Sequence, residues 1–205
     1  MPDRTSDLPP QSVASRRPRR SQDDLADRSA LLAATLERWL HDAGLVQTDA
    51  FVHARALDAS VSRWLAETRP DFLFQQLPDL ASRLARQLTR SDGLSAATFI
   101  SAFAHSLIAH AVDEVAMEAR RAGHASIFAG LRPYLHGEPT AQKLADLGAT
   151  LELSQAALRI ALSRLRRRLQ ERIGAALALW ASSPETRNTL RRQLRESLIG
   201  TESNP

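Results

Sequence analysis

The sequence predicts an all-α protein, and two features of its composition and one of its periodicity support that fold class. Aromatic residues make up only 5% of the 205 residues, whereas β-rich folds favour aromatic and β-branched side chains. Ala, Leu, Arg, Gln and Glu dominate the chain, and these residues favour helices. Apolar residues recur at spacings of three and four along most of the chain, which is the periodicity of amphipathic helices.

Composition also excludes several classes of protein. The chain has no cysteine, so disulfides, zinc ribbons, iron–sulfur clusters and thiol nucleophiles are excluded. No run approaches the length of apolar sequence that a membrane helix needs, and the N-terminus lacks the apolar core of a secretory signal. We therefore expect a cytoplasmic protein without a membrane partner. The histidines show no metal-ligand spacing and no catalytic group or phosphate loop is recognisable, so we expect neither an enzyme nor a cofactor.

Residues 1–24 are predicted to form a disordered basic tail. Prolines and serines are frequent there and large apolar residues are few, which leaves too little burial to offset chain entropy. The tail carries a cluster of four arginines, Arg16, Arg17, Arg19 and Arg20. Two interpretations stay open: a flexible arm that touches nucleic acid, or a solubilising tail.

Residues 25–110 are predicted to form a helical N-terminal domain. A stop signal at Gly44 separates its first two helices, and the second ends before Pro70 because the residue before proline avoids the helical region. Pro78 is expected to break or kink the third helix. The four predicted helices cover about 25–44, 48–69, 71–90 and 95–121.

Residues 111–200 are predicted to form the second domain, in which short helices alternate with clear start and stop signals. Pro133 indicates a kink or an early end within a helix over about 126–135. Thr140 and Ser154 are good N-caps for helices over about 141–150 and 155–180, with a break at 151–153. A last helix begins after Ser183 and ends near residue 200.

The two helices capped by Thr140 and Ser154 match the helix-turn-helix pattern. On the second helix, leucines at spacings of four, three and four form a stripe that can pack against the first helix; they are Leu158, Leu162, Leu165 and Leu169. Residues 155–173 contain six arginines and one acid, Glu171. Turning 100° per residue places Ala156, Ser163 and Arg167 at the centre of the face opposite the leucines.

This pattern is typical of a recognition helix in the major groove of DNA. Gln155 and Arg159 are best placed to reach base edges, because Gln can pair with adenine and Arg with guanine. Four other arginines are expected to contact phosphates: Arg164, Arg166, Arg167 and Arg168. Two alternatives stay open: a solvated arginine-rich helix in a plain helical bundle, and a helical protein–protein adaptor that does not read DNA.

The same residues resemble region 4 of sigma-70 family RNA polymerase sigma factors, of the extracytoplasmic-function type. The resemblance covers about residues 110–198. It is carried by the segments 128–137 (FAGLRPYLHG), 144–147 (LADL), 153–159 (LSQAALR) and 163–169 (SRLRRRL).

The resemblance implies a sequence-specific DNA-binding transcription factor that directs RNA polymerase to promoters. Its implied partners are double-stranded promoter DNA and the flap of the polymerase core, and an anti-sigma factor is a further candidate partner. By the match, the promoter-reading positions are Ser154, Gln155, Arg159 and Ser163, while Thr140 and Lys143 lie near the phosphate backbone.

The chain departs from the family in two places. Glu152 stands where the family usually has glycine, so we expect a less strained turn and a negative charge near DNA. Residues 25–110 do not resemble region 2, which opens the promoter in such factors. Their aromatic residues are spaced as core residues: Trp39, Trp64, Phe72, Phe74, Phe99 and Phe103. The chain is then either a degenerate sigma factor or a regulator that has region 4 without melting ability.

Overall fold

The computed structural model describes residues 18–45, 47–69, 72–88, 93–181 and 183–201. Within these ranges the chain forms helices and no strand, so the all-α prediction is confirmed. A 3-10 turn at Arg132–Tyr134 follows α5. The helices are α1 (Pro18–Asp42), α2 (Gln47–Glu67), α3 (Leu77–Gln87), α4 (Ala96–Arg121), α5 (Ala125–Leu131), α6 (Ala141–Leu151), α7 (Gln155–Trp180) and α8 (Pro184–Thr201).

The first helix begins earlier than the sequence predicted. Helix α1 begins at Pro18, so the second part of the predicted tail 1–24 is helical. Proline is well suited to a first helical turn, because its missing amide hydrogen would have no partner there. Pro18 lies within the arginine cluster, which was predicted to belong to the tail. Residues 1–17, with Arg16 and Arg17, lie outside the described ranges.

The prolines predicted to disturb helices stand at helix ends. Pro78 occupies the first turn of α3, so the predicted helix over 71–90 begins later, at Leu77, and is not kinked. Pro133 lies in the 3-10 turn after α5, which confirms an early end of that helix. In both positions the proline ring avoids the steric clash with the carbonyl group four residues earlier that it would make in a helix interior.

Serine side chains fix the starts of α4 and α8. At α4, Ser95 accepts a hydrogen bond from the Thr98 amide while the Thr98 hydroxyl accepts one from the Ser95 amide, a capping box. Before α8, the Ser183 hydroxyl accepts from the Thr186 amide at 3.1 Å. The pKa of the Glu185 carboxyl lies below its usual range. The main cause is a hydrogen bond with the Glu185 backbone, and a hydrogen bond with the Ser183 side chain adds to it.

The larger hydrophobic core joins α1–α4 to the end of α7 and to α8. Trp39 and Phe99 meet edge to face with ring centroids 5.0 Å apart, and Phe103 meets Trp180 at the same distance. The Trp39 indole donates to the Thr98 hydroxyl at 2.9 Å, so its polar atom is satisfied inside the core.

The smaller core lies between the second half of α4, α5, α6 and the first half of α7. Its fully buried side chains include Leu131 and Leu158. Ile173 packs against both cores. The two cores therefore adjoin each other along α4 and α7.

The boundary predicted between the two domains lies within a single helix. The expected boundary between 25–110 and 111–200 falls inside α4. Helix α8, placed by prediction in the second domain, packs on the N-terminal helices through Leu190 and Leu194. The apolar stripe of α8 shows that one face is buried, but the sequence does not indicate which core receives it.

The aromatic residues of the N-terminal half pack as the spacing predicted, with one exception. Trp39, Trp64, Phe74, Phe99 and Phe103 are buried. Phe72, in the turn before α3, is instead 44% exposed.

None of the described helices is both long enough and apolar enough to cross a membrane. Among the described side chains, no group of three or more His, Asp or Glu is arranged to hold a metal ion.

We predict that Gly148→Ala destabilises the protein and that Gly174→Ala does not. A Cβ atom at position 148 would lie 2.6 Å from the Leu153 carbonyl oxygen, a backbone atom, so the contact between α6 and the following turn would have to open. The expected loss is about 1–3 kcal/mol of unfolding free energy, measured by urea denaturation.

Gly174, in α7, is the matched control because a Cβ atom there meets nothing within 4 Å. Alanine at that position should stabilise the helix by about 0.5–1 kcal/mol. Equal effects of the two substitutions would contradict the close approach at Gly148.

Candidate nucleic-acid interface

The candidate interface is built on α6, a short turn and α7. Both predicted caps are confirmed. The Thr140 hydroxyl accepts from the Lys143 amide at 3.3 Å, and the Ser154 hydroxyl accepts from the Ala157 amide at 3.2 Å. Each cap satisfies an amide that the first helical turn leaves without a backbone partner, so the starts of both helices are fixed by local sequence.

The turn between α6 and α7 is tight, and one residue in it is strained. Glu152 has φ 55° and ψ 37°, and it is the one non-glycine residue with positive φ in the described part of the chain. The expectation of a less strained turn is therefore wrong: glutamate occupies the left-handed conformation itself. Such a conformation costs an L residue about 1–2 kcal/mol relative to glycine.

Helix α7 is anchored by the leucine side that the sequence predicted. Leu158, Leu162 and Leu169 are buried in the smaller core together with Leu144 of α6, and Leu165 is half-buried against it. Helices α6 and α7 are thus packed partners rather than one continuous rod, and the packing determines which side of α7 faces water.

The opposite side of the first half of α7 is exposed. It presents Gln155, Arg159 and Ser163, three of the predicted promoter-reading residues, together with Ala156. Ser154 is exposed as well, with its hydroxyl accepting the capping bond. Ile160, which the sequence placed beside this face, is an apolar side chain 54% exposed. We call the surface of Gln155, Ala156, Arg159, Ile160, Ser163 and Arg167 the outer face of α7.

The predicted backbone contacts outside α7 are also exposed. Thr140 and Lys143 lie in the first turn of α6. The Lys143 ammonium is 6.0 Å from the centroid of the Tyr134 ring, at the limit of a cation–π contact. Lys143 is thus a cation at the surface, on the helix next to α7.

The arginines of α7 divide into two groups, and Arg164 and Arg167 belong to the exposed group. The Arg167 side chain is 78% exposed, with its Nε atom 3.8 Å from a Glu171 carboxylate oxygen. The guanidinium of Arg164 has no partner among the described residues. An ion pair as exposed as that of Arg167 is weak, so both side chains remain available to another molecule.

Arg166 belongs to the second group, in which the guanidinium has partners within the protein. Its guanidinium donates to the backbone oxygen of Tyr134 at 2.9 Å, to that of Gly137 and to the Glu138 carboxylate. These partners all lie in the connection between α5 and α6. Arg166 therefore holds that connection against α7 and does not point to solvent.

Arg168 is the second member of this group, because its guanidinium is also engaged within the protein. It donates to Glu118 of α4 at 2.7 Å and to Glu171 at 2.8 Å. Arg172, one turn later on α7, pairs with Glu118 as well and lies 4.0 Å from Glu114. These ion pairs connect α7 to α4.

Glu118 and Glu138 lie outside α7, so the charge of α7 alone did not reveal them. A signal was present: Glu114 and Glu118 are four residues apart, as are Arg168 and Arg172. Spacings of four place each pair on one helix face, which would suit two packed helices. Three of the six arginines in 155–173 are thereby neutralised, and Arg159, Arg164 and Arg167 remain for a partner.

Comparison of the chain with protein-family models, with characterised proteins and with solved structures finds no match. Function is therefore inferred from the exposed residues of α6 and α7 and from the resemblance in sequence.

We predict that Arg166→Gln lowers the unfolding free energy by about 1–3 kcal/mol, because two backbone carbonyls and a carboxylate lose a charged donor. Arg167→Gln is the matched control, on the same helix turn but exposed, and should change it by no more than about 0.5 kcal/mol. Thermal or urea unfolding of both variants measures the difference. A stable Arg166→Gln variant would show that the connection between α5 and α6 does not need this side chain.

Proposed function

We propose that this protein is a sigma-like transcription regulator that binds double-stranded promoter DNA through α7. One observation carries the proposal: the outer face of α7 is exposed while its leucine side is packed against α6 and α4. A recognition helix needs both properties, because the buried side fixes its orientation and the free side enters the groove.

The residues of α7 suit the major groove, which is wide enough for one helix. Gln155 and Arg159 stand in the first two turns, where side chains of a recognition helix reach base edges. A guanidinium paired with guanine, or an amide paired with adenine, is worth about 1–3 kcal/mol of discrimination. Small side chains at Ala156 and Ser163 let the backbone approach the bases closely.

The exposed cations around this face would position the helix on the DNA backbone. Arg164, Arg167 and Lys143 are free to neutralise phosphates, and such contacts supply affinity without sequence information. Arg166 and Arg168 are not part of this set, because Arg166 already has one carboxylate and two backbone carbonyls as partners and Arg168 has two carboxylates. The resemblance to region 4 suggests the RNA polymerase core as the protein partner.

A second candidate function is an adaptor that binds the polymerase or an anti-sigma factor and does not read DNA. The observation that favours it is the internal pairing of Arg166, Arg168 and Arg172, which reduces the charge that α7 offers to phosphates. In that case Arg159→Ala would leave partner binding and activity intact.

We predict salt-dependent duplex binding with a shallow slope. Selection from a randomised duplex library yields the preferred site, and gel-shift titrations over a salt series then give log Kd against log salt. If Arg164, Arg167 and Lys143 contact one phosphate each, log Kd rises with log salt with a slope of about 3. Replacing Arg164 or Arg167 by Gln should reduce its magnitude by about 1, while Arg159→Gln should relax base preference at one position.

Arg192→Gln, on α8, is the control for a general loss of positive charge, and it should leave both slope and preference unchanged. No measurable binding by the folded protein to any selected duplex would reject DNA binding. Retained binding to purified core polymerase in that case would establish the adaptor instead.

We also predict that the protein bound to core polymerase yields no run-off transcript from a fully paired promoter. Stacking on unpaired bases needs exposed aromatic side chains, and five of the six aromatic residues considered above in the N-terminal half are buried. The same assay on a template with a premelted segment is the control and should restore product. Run-off product from the fully paired template would make the chain a complete sigma factor.

A further inference from the structure

A cavity of about 580 Å³ lies between α7 and α8 on the side away from the outer face of α7. It is lined by Leu107 and Ile108 of α4, Ile173 and Leu177 of α7 and Leu194 of α8. Leu135 and His136, in the connection between α5 and α6, also line it. Its volume lies within the range of small-molecule pockets, which are mostly apolar with a few polar groups.

The charged side chains at this cavity are all basic. Arg191 and Arg195 stand one turn apart on the same face of α8, both are exposed, and neither has a partner among the described residues. His136 and Arg166 complete the basic set. Arg166 is occupied by Glu138 and two carbonyls, and the described lining residues include no Asp or Glu.

An apolar interior beside two unpaired guanidinium groups selects a particular class of ligand. The apolar body of a ligand is stabilised by leaving water, and an anionic head group can accept charged hydrogen bonds from both arginines. A cation of the same shape would meet only positive charge. Bases and phosphates of a nucleic acid would leave the apolar walls uncovered.

We propose that the cavity between α7 and α8 binds a small amphiphilic anion, an apolar chain or ring carrying one carboxylate or phosphate group. Its head group lies between Arg191 and Arg195, and its apolar body lies against Ile108 and Ile173, the half-buried apolar residues of the lining. The proposal is independent of DNA binding, because none of the residues on the outer face of α7 lines this cavity.

Isothermal titration of the full chain, without DNA, tests the proposal with three probes that share a decyl chain: decanoate, monodecyl phosphate and decyltrimethylammonium. Saturable binding of decanoate or of monodecyl phosphate at one molecule per chain supports it, and the stronger of the two identifies the head group. Failure of both anions to bind, or equal binding of the cation, would overturn it.

The affinity of the variant Arg191→Gln/Arg195→Gln for the preferred anion should fall by at least about tenfold, because two charged donors are lost. Arg192→Gln, on the same helix but outside the cavity, is the control and should bind as the unmodified chain does. Gln170→Trp provides a second variant should the double variant fail to fold: Gln170 is exposed at the cavity, and tryptophan there should block entry. Unchanged binding in Gln170→Trp would place the anion elsewhere.

Discussion

Burial of apolar side chains along the whole length of α4 is the interaction on which the rest of the structure depends. The first half of this helix contributes Phe99, Phe103 and Leu107 to the larger core, and the second half contributes Val112 and Val115 to the smaller one. At 1.5 Å per residue, its 26 residues extend about 39 Å. A helix curves only gently where no proline or inserted group kinks it, and α4 contains neither proline nor glycine, so the two cores keep nearly fixed positions relative to each other.

The antiparallel packing of α7 on α4 determines which arginines are available to a partner. Arg168 lies opposite Glu118, whereas Trp180, at the other end of α7, meets Phe103, so the two helices run in opposite directions. A carboxylate on the facing helix neutralises a guanidinium at the edge of the contact, and a guanidinium on the far side stays in water. The orientation of α7 therefore determines which of its arginines are neutralised. The charge that α7 offers to a partner cannot be obtained by counting arginines along the sequence.

Local features of the sequence were sufficient to predict α6, α7 and the position of the break between them. Thr140 and Ser154 cap neighbouring amides, and the leucine stripe of α7 follows from helical periodicity. The roles of Arg166 and Arg168 were not predictable in this way, because their partners Glu138 and Glu118 lie 28 and 50 residues away along the chain. Nor did periodicity reveal that α8 belongs to the larger core. The function itself stays a prediction, since it depends on a partner molecule and not on the packing of this chain.

Helix α7 contributes to both cores, and this has a consequence for any DNA complex. Its first half packs in the smaller core through Leu158 and Leu162, its second half in the larger core through Leu177 and Trp180, and Ile173 packs against both. The outer face of α7 therefore cannot turn independently of the N-terminal helices, as it could if a flexible linker joined two separate domains. A duplex that accepts Arg159 in its major groove must accommodate the bundle of α1–α4 at a fixed distance and angle. Contacts between that bundle and flanking DNA or polymerase would then add to the affinity without an ordering cost for a linker.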